Sequence, residues 1–153
     1  ESDIYPPAVV SISDIHGYLT EAQSALLTLS DHATLPPVVT TDGDGTLHWA
    51  EENYILVFNG DLIDRGPAND AVLEMVSRLA REAPRGRVRV TLGNHEHILT
   101  SPDEFPFHGW YSTQVTDRHR QRFLQWIQAG YVVAAYRGRN VTYAHAGSPE
   151  PYT

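Results

Sequence analysis

The chain has 153 residues, of which 41% are hydrophobic and 20% are charged, and this length and composition suit one globular domain. It contains no Cys, which excludes disulfide scaffolds, zinc–thiolate sites, iron–sulfur clusters and thiol catalysis. All 11 basic residues are Arg, which excludes a P-loop or Schiff-base Lys, and the net charge of −8 argues against a nucleic-acid partner held by broad phosphate contacts.

The first third of the chain predicts a strand, a helix and a long connection. Ala8–Ser13 is a short β-branched run typical of a buried strand. From Thr20, the predicted N-cap, apolar residues recur at helical spacing as far as residue 29. Residues 31–52 look irregular and predict a surface insertion. Within it, DGDG at 42–45 begins like a calcium loop but lacks the closing Glu, so we expect a tight turn.

The remainder predicts further strands and helices in alternation. Tyr54–Asn59 and Val88–Leu92 are apolar strands, and the helix between them runs from Pro67 to about Ala83. Residues 100–116 receive no assignment. Asp117–Ala129 predicts a helix, and the last predicted elements are two strands joined as a hairpin, Tyr131–Tyr136 and Val141–His145.

This order implies a layered α/β domain with parallel strands, in which ligands collect at the carboxyl ends of the strands. Three polar loops follow predicted strands, and they are DIHG at 14–17, GDLIDRG at 60–66 and GNHE at 93–96. A fourth strand ends at His145. We therefore expect these four places to build one site.

The residues of these loops predict a metal site without sulfur ligands. The oxygen and imidazole donors are Asp14, His16, Asp61, Asn94, His95 and His145. Such ligands suit Mn, Fe or Zn. Because clustered carboxylates and imidazoles lose solvation without a cation, we expect two divalent ions bridged by a carboxylate.

The four motifs, with HAG at 145–147 as the last, resemble those of the calcineurin-like metallophosphoesterases, in particular the serine/threonine phosphoprotein phosphatase branch. They occur in the family's order and span nearly the whole chain. The resemblance implies an α/β, layered metallophosphoesterase sandwich with a mixed sheet core, incomplete at its C-terminus. Residues 1–153 would then be a single metallophosphoesterase domain, or the N-terminal portion of one.

By that resemblance, Asp14, His16 and Asp61 bind the first metal ion. Asp61 bridges to a second ion, which Asn94 and His145 also bind. Among Mn, Fe and Zn, Mn is the expected metal. A structural histidine packed in the core is the alternative for His145.

The resemblance also assigns the catalytic groups. His95 is the general acid that protonates the leaving oxygen, Asp64 orients it, and Arg65 clamps the phosphate. A simple ion pair between Asp64 and Arg65 is the alternative interpretation.

The sequence departs from the family pattern at three places. Ser13 stands where Gly usually precedes DxHG, and Ala146 replaces the first Gly of HGG. The family's further metal-binding His, downstream of the His145 motif, has no counterpart before Thr153. We expect a fragment of a longer protein, with a weaker second metal site and apolar surface that favours self-association. The alternative is a complete chain with an under-coordinated second metal.

The expected function is metal-dependent hydrolysis of a phosphomonoester, on a phosphoserine or phosphothreonine protein or on a small phosphoester. Glu96 after GNH favours the protein phosphatases, whereas Pro67 after DRG favours the first alternative, a dinucleoside polyphosphate hydrolase. The second alternative is a non-catalytic metal-binding or interaction module. No apolar run suits a membrane span and no signal peptide is visible, so we expect a cytoplasmic protein without a membrane partner.

Overall fold

The computed structural model describes residues 6–50, 53–101 and 109–146. Its strands are β1 Ala8–Ile12, β2 Val39–Thr41, β3 Leu47–Trp49, β4 Tyr54–Phe58, β5 Val88–Thr91, β6 Val132–Val133, β7 Tyr136–Arg137 and β8 Thr142–Tyr143. Its helices are α1 Leu19–Leu27, α2 Asn69–Glu82, α3 Asn94–Thr100, α4 Tyr111–Gln114 and α5 Asp117–Gln128, with a 3₁₀ turn at Thr28–Asp31. Among these residues, no helix combines the length and apolar character needed to cross a bilayer.

Four parallel strands form the central sheet, in the order β1-β4-β5-β6. Ile12 pairs with Phe58, Phe58 with Val90 and Val90 with Val132, so the carboxyl ends of the strands lie along one edge. Strand β4 is buried except at half-buried Ile55, as expected for an interior parallel strand. The predicted α/β class is confirmed, and within the described residues the antiparallel pairs belong to two separate ribbons, β2–β3 and β7–β8.

Helix α2 packs an apolar face against this sheet, with Val72, Met75, Val76 and Leu79 buried at helical spacing. The helix begins at Asn69 rather than at Pro67, because the side chain of Asn69 binds the preceding loop.

Helix α1 also begins away from its predicted N-cap. The backbone N–H of Ala22 donates to the carbonyl of Tyr18, which makes Tyr18 the N-cap and places Thr20 in the first turn. The N–H of Tyr18 in turn donates to the carbonyl of Ile15, so the helix follows directly from the DIHG loop.

The prediction of an irregular insertion at residues 31–52 is wrong for its central part. Strands β2 and β3 pair antiparallel there, with Thr41 opposite Leu47, and both Val39 and Leu47 are buried. Burial of these apolar side chains against the domain drives the pairing, which the short runs do not reveal on their own. The predicted turn is confirmed, since a carboxylate oxygen of Asp42 accepts hydrogen bonds from two backbone N–H groups of the turn.

Two other predicted boundaries change in the structure. GNHE does not form a loop, because Asn94 is already the first residue of α3. The predicted strand Tyr131–Tyr136 divides between the central sheet and the β7–β8 hairpin, and β8 ends at Tyr143, two residues before His145. Of the unassigned stretch 100–116, residues 102–108 lie outside the described residues, and part of the remainder forms α4.

His48 connects the β2–β3 hairpin to the end of α2. Its Nδ1 lies 2.8 Å from Glu82 Oε1 and its Nε2 lies 3.2 Å from Asp42 Oδ2. The other Glu82 oxygen accepts the Trp49 N–H. The hydrogen bond to Glu82, and then that to Asp42, raise the pKa of His48, so its charged form holds the two elements together.

This contact makes stability depend on pH. The contribution of charged His48 is fully present below its ordinary pKa of 6.5 and is lost as the pH rises through the raised value. The thermal midpoint should therefore fall between about pH 6 and about pH 8.5, and fall less in His48→Gln. Circular dichroism melts measure this. The control is His32→Gln, since His32 Nδ1 accepts backbone N–H groups. An identical fall in His48→Gln and wild type would contradict the assignment.

Candidate active site

The loops after β1 and β4 contain every non-glycine residue with positive φ in the described part of the chain. These residues are Asp14, His16, Asp61, Asp64 and Arg65, with φ between 50° and 72°. Such conformations are costly for residues other than glycine and persist only where the surroundings enforce them. All five are predicted site residues, so backbone strain is concentrated at the predicted site.

Backbone hydrogen bonds lock these two loops together. The N–H of His16 donates to the carbonyl of Asp61, and the N–H of Gly66 donates back to the carbonyl of His16, at 2.8 and 2.7 Å. A Cβ on Gly66 would lie 2.5 Å from that His16 oxygen, so only glycine permits this approach. The interlocked loops fix the directions of the site's side chains.

Asp61 is the centre of the site. Its side chain is almost fully buried, and Oδ2 lies 3.2 Å from His145 Nε2, 3.6 Å from His16 Nε2 and 3.9 Å from His95 Nε2. Its other oxygen accepts the backbone N–H of His95 at 3.2 Å. Three imidazoles from three segments of the chain thus face one carboxylate oxygen.

The other ring nitrogens of two of these histidines already have partners. His16 Nδ1 donates to the Ile63 carbonyl at 3.0 Å, and His145 Nδ1 donates to the Asn59 carbonyl at 2.9 Å. When the rings of His16 and His145 are neutral, each Nε2 therefore carries a lone pair, and this lone pair faces the Asp61 carboxylate. Lone pairs and a carboxylate turned toward one space require a cation, so this donor set fits divalent metal ions.

The potential ligand atoms form two groups that share Asp61. One contains His16, Asp61 and His95, the other contains Asp14, Asp61 and His145, and the ligand atoms of each group lie within 4.8 Å of one another. Asn94 Oδ1 lies 3.2 Å from His145 Nε2, beside the second group. The structure thus brings all five predicted metal ligands together, with Asp14 and Asn94 at the exposed rim.

The predicted pair of His95 and Asp64 is present. His95 Nδ1 lies 2.7 Å from Asp64 Oδ2, and both side chains are almost completely buried. No ion pair joins Asp64 to Arg65 in the described structure. Arg65 is exposed and makes no hydrogen bond or ion pair with any residue that the structure describes, which leaves its guanidinium available to an anion.

Three residues that complete the site escape prediction from sequence. Asn69 Oδ1 accepts the N–H of Asp64, Ser112 donates two hydrogen bonds to the Asp64 carboxylate, and the Trp110 ring stacks on His95. The position of Asn69 shortly after the GDLIDRGP motif is a weak indication that it belongs to the site. Ser112 and Trp110 lie in the unassigned stretch and carry no motif.

Glu96 stabilises the Asp61 loop by accepting hydrogen bonds from backbone N–H groups. One of its carboxylate oxygens accepts the N–H groups of Asp61 and Gly93, at 2.9 and 3.0 Å, and the other accepts the N–H of Leu62 at 2.7 Å. Burial raises the pKa of the Glu96 carboxyl, and its hydrogen bonds to backbone N–H groups oppose this effect. A Cβ on Gly93 would collide with Asp61 Oδ1, so glycine is required beside this contact.

The sequence model of the calcineurin-like phosphoesterase family matches residues 8–153. With the motif loops assembled at the carboxyl edge of a parallel sheet, this shows that the chain belongs to that family.

The relatives that match this chain include two enzymes with different named activities and one uncharacterized protein. The chain is 31% identical to an uncharacterized protein of Schizosaccharomyces pombe, over 95% of this chain and 46% of that protein. It is 26% identical to a symmetrical bis(5'-nucleosyl)-tetraphosphatase of Baumannia cicadellinicola, over 89% of this chain and 41% of that enzyme. It is 34% identical to Shewanella-like protein phosphatase 1 of Plasmodium berghei, over 59% of this chain and 22% of that protein. The chain thus spans less than half the length of each of these relatives.

A solved structure shows the same fold. A mutant cold-active protein tyrosine phosphatase superposes with a TM-score of 0.50 at 24% identity, over 83% of this chain and 33% of that one.

Both oxygens of the Glu96 carboxylate accept hydrogen bonds, so replacing this carboxylate with an amide should destabilise the Asp61 loop. In Glu96→Gln, the single amide oxygen cannot serve both positions, and the NH2 group must face at least one buried backbone N–H. We expect a loss of about 1–3 kcal/mol in the free energy of unfolding of the metal-free chain, measured in urea. Glu21→Gln, on the exposed side of α1, is the control and should change stability by less than about 0.5 kcal/mol. Equal effects of the two substitutions would show that Glu96 does not support the loop.

Proposed function

We propose that this chain carries the catalytic site of a divalent-metal-dependent phosphomonoesterase that acts on phosphoserine or phosphothreonine proteins. The observation that carries the proposal is the burial of Asp61 among three imidazoles, with the His95–Asp64 pair at the same place. A binding module needs the first feature only, whereas the second suits proton transfer.

The donor set supports two ions. Asp14, His16 and Asp61 would hold one, and Asp61, Asn94 and His145 would hold the other, with Mn²⁺ as the proposed metal. When bound, such ions lower the pKa of a coordinated water and offset the negative charge of a phosphate.

The chain's own residues supply the remaining steps. The exposed guanidinium of Arg65 pairs with phosphate oxygens and orients the ester. As the P–O bond breaks, His95 donates its Nε2 proton to the leaving oxygen, so that an alcohol departs and the ring becomes neutral. Throughout this transfer the Nδ1–H of His95 stays hydrogen bonded to Asp64, which keeps the ring in place.

A dinucleoside polyphosphate hydrolase is the second candidate function. The similarity to the Baumannia tetraphosphatase extends over 89% of this chain, against 59% for the Plasmodium phosphatase, whose identity is higher. Glu96 does not separate the two candidates, because its contacts are with the loop backbone. The choice is tested by comparing kcat/KM on a phosphoserine peptide and on diadenosine tetraphosphate. Faster turnover of the dinucleotide would replace the first proposal by the second.

Activity should depend on metal. With Mn²⁺ the chain should hydrolyse p-nitrophenyl phosphate, and EDTA followed by removal of the metal should abolish this activity, because the neutral imidazoles and Asp61 cannot activate water alone. Release of nitrophenolate is the measurement, with Mg²⁺, Fe²⁺ and Zn²⁺ compared in parallel. Full activity in a chain verified to be free of metal would exclude the proposed mechanism.

Two substitutions separate chemistry from metal binding. On phenyl phosphate, whose leaving group needs a proton, His95→Asn should retain Mn²⁺ binding and lower kcat by roughly 10²–10⁴-fold, which is the usual contribution of a positioned acid. Asp61→Asn should lose Mn²⁺, because it removes the charge that both ligand groups share. Calorimetric titration and turnover of the same samples measure both effects. If both variants bind metal normally and hydrolyse substrate at the wild-type rate, the assigned roles are wrong. If the wild-type chain binds metal but hydrolyses no substrate, the result favours a non-catalytic binding module.

A further inference from the structure

We propose that Ser112 is a positioning residue for the general acid and acts on His95 through Asp64. The proposal rests on the proposed function, because it concerns the same proton transfer. Ser112 lies 48 residues from Asp64 in the chain, in a segment without a recognisable motif, and reaches the site only through the fold.

Ser112 engages both oxygens of the Asp64 carboxylate. Its backbone N–H donates to Oδ1 at 2.8 Å, and its hydroxyl donates to Oδ2 at 2.6 Å. Both residues have no exposed surface. A buried carboxylate is costly unless donors satisfy it, and Ser112 provides two of the three hydrogen-bond donors that the structure describes for the Asp64 carboxylate, one from its backbone and one from its side chain.

This two-point contact fixes the plane of the carboxylate. With Oδ1 held by the N–H of Ser112, Oδ2 is presented to His95 Nδ1 at 2.7 Å. Both groups of Ser112 are donors here, so the carboxylate is the acceptor and Nδ1 must carry a proton. Because Nδ1 keeps its proton, the proton that His95 transfers is the one carried on Nε2 by the charged ring, and this nitrogen faces Asp61 at 3.9 Å.

The residues next to Ser112 hold the segment in place from two sides. The Trp110 ring stacks on the His95 ring with centroids 4.7 Å apart and an interplanar angle of 29°. The Tyr111 hydroxyl donates to Asp70 Oδ1, at the start of α2, at 2.5 Å. Three consecutive residues thus contact the acid, its carboxylate and the helix behind them, so the Ser112 hydroxyl has little freedom to turn away.

A purely structural role for Ser112 predicts different consequences. If it only anchors α4, its loss would lower stability and slow all substrates alike. If it positions the acid, its loss matters in proportion to how much the leaving group needs a proton. Phenolate is a poor leaving group and needs one, whereas p-nitrophenolate leaves readily without one.

The experiment compares Ser112→Ala with wild type on phenyl phosphate and p-nitrophenyl phosphate in the presence of Mn²⁺. Loss of one hydrogen bond to a charged group should lower kcat for phenyl phosphate by about 10-fold, with KM unchanged, and kcat for p-nitrophenyl phosphate by less than about 3-fold. Thr100→Ala is the matched control, since its hydroxyl bonds the His97 carbonyl within α3, and it should leave both rates unchanged. Ser112→Cys, which retains the shape and only a weak donor, should act in the same direction as Ser112→Ala and replaces it if that variant does not fold.

A second measurement does not require turnover. In the metal-free chain labelled with ¹⁵N-histidine, at one fixed pH, the Nδ1 proton of His95 should give a downfield resonance protected from exchange, and Ser112→Ala should lose it. If the wild-type chain hydrolyses both esters, the proposal holds only if the leaving-group contrast and the loss of this resonance are both seen. Equal slowing of both substrates, or an unchanged His95 resonance, overturns it. A wild-type chain that binds Mn²⁺ but hydrolyses neither ester overturns the proposed function instead, and the resonance then still decides whether Ser112 orients His95 through Asp64.

Discussion

The site depends on a single electrostatic constraint, the burial of the Asp61 carboxylate among imidazoles. A carboxylate with almost no exposure to water requires positive charge or hydrogen-bond donors nearby. One of its oxygens accepts the backbone N–H of His95, whereas the other faces the Nε2 atoms of His16 and His145, which in the neutral rings carry lone pairs and not protons. Glu96 places a second buried carboxyl directly beneath the same loop. Backbone N–H groups satisfy both oxygens of Glu96, whereas the donor atoms around Asp61 fit a bound cation.

The fold maintains this arrangement by strain in its loops. Five non-glycine residues in two loops have positive φ, at a cost of roughly 1–3 kcal/mol each, and the sheet and its covering helices must offset that cost. Parallel strands β1 and β4 are adjacent, so the loops that leave them are adjacent as well and exchange backbone hydrogen bonds. Gly60 removes a side chain that would meet the His145 ring at 2.6 Å, which lets a histidine from the end of the described chain approach. Local strain and long-range contact therefore stabilise each other.

The hydrogen-bonded pair of His95 and Asp64 shows how distant parts of the domain build the site. His95 belongs to the first turn of α3, Asp64 to the loop after β4, and Ser112 to α4. The three side chains meet although they are separated by as many as 48 residues. A change far from the metal ligands, in the segment 110–112, is thus expected to reach the chemistry through one buried carboxylate.

Local sequence patterns are enough to predict where the inner-sheet strands β1, β4 and β5 end and which polar residues follow them. Apolar β-branched runs and the motifs after them are local patterns, so β1, β4 and β5, the DIHG and GDLIDRG loops and the grouping of the candidate metal ligands were all predictable from residues close in the chain. The motifs also identified Asp64 as the partner of His95, through the family resemblance.

Other features depend on contacts between residues that are distant in the chain, and local patterns do not predict them. The β2–β3 hairpin forms because Val39 and Leu47 are buried against the domain, and GNHE becomes helical because Glu96 turns back to bind the N–H groups of Asp61, Leu62 and Gly93. Ser112 has no local signal, since an isolated serine acquires its role only from the carboxylate brought to it by folding. Short-range patterns specify elements, whereas desolvation and hydrogen bonding between remote segments specify which side chains meet.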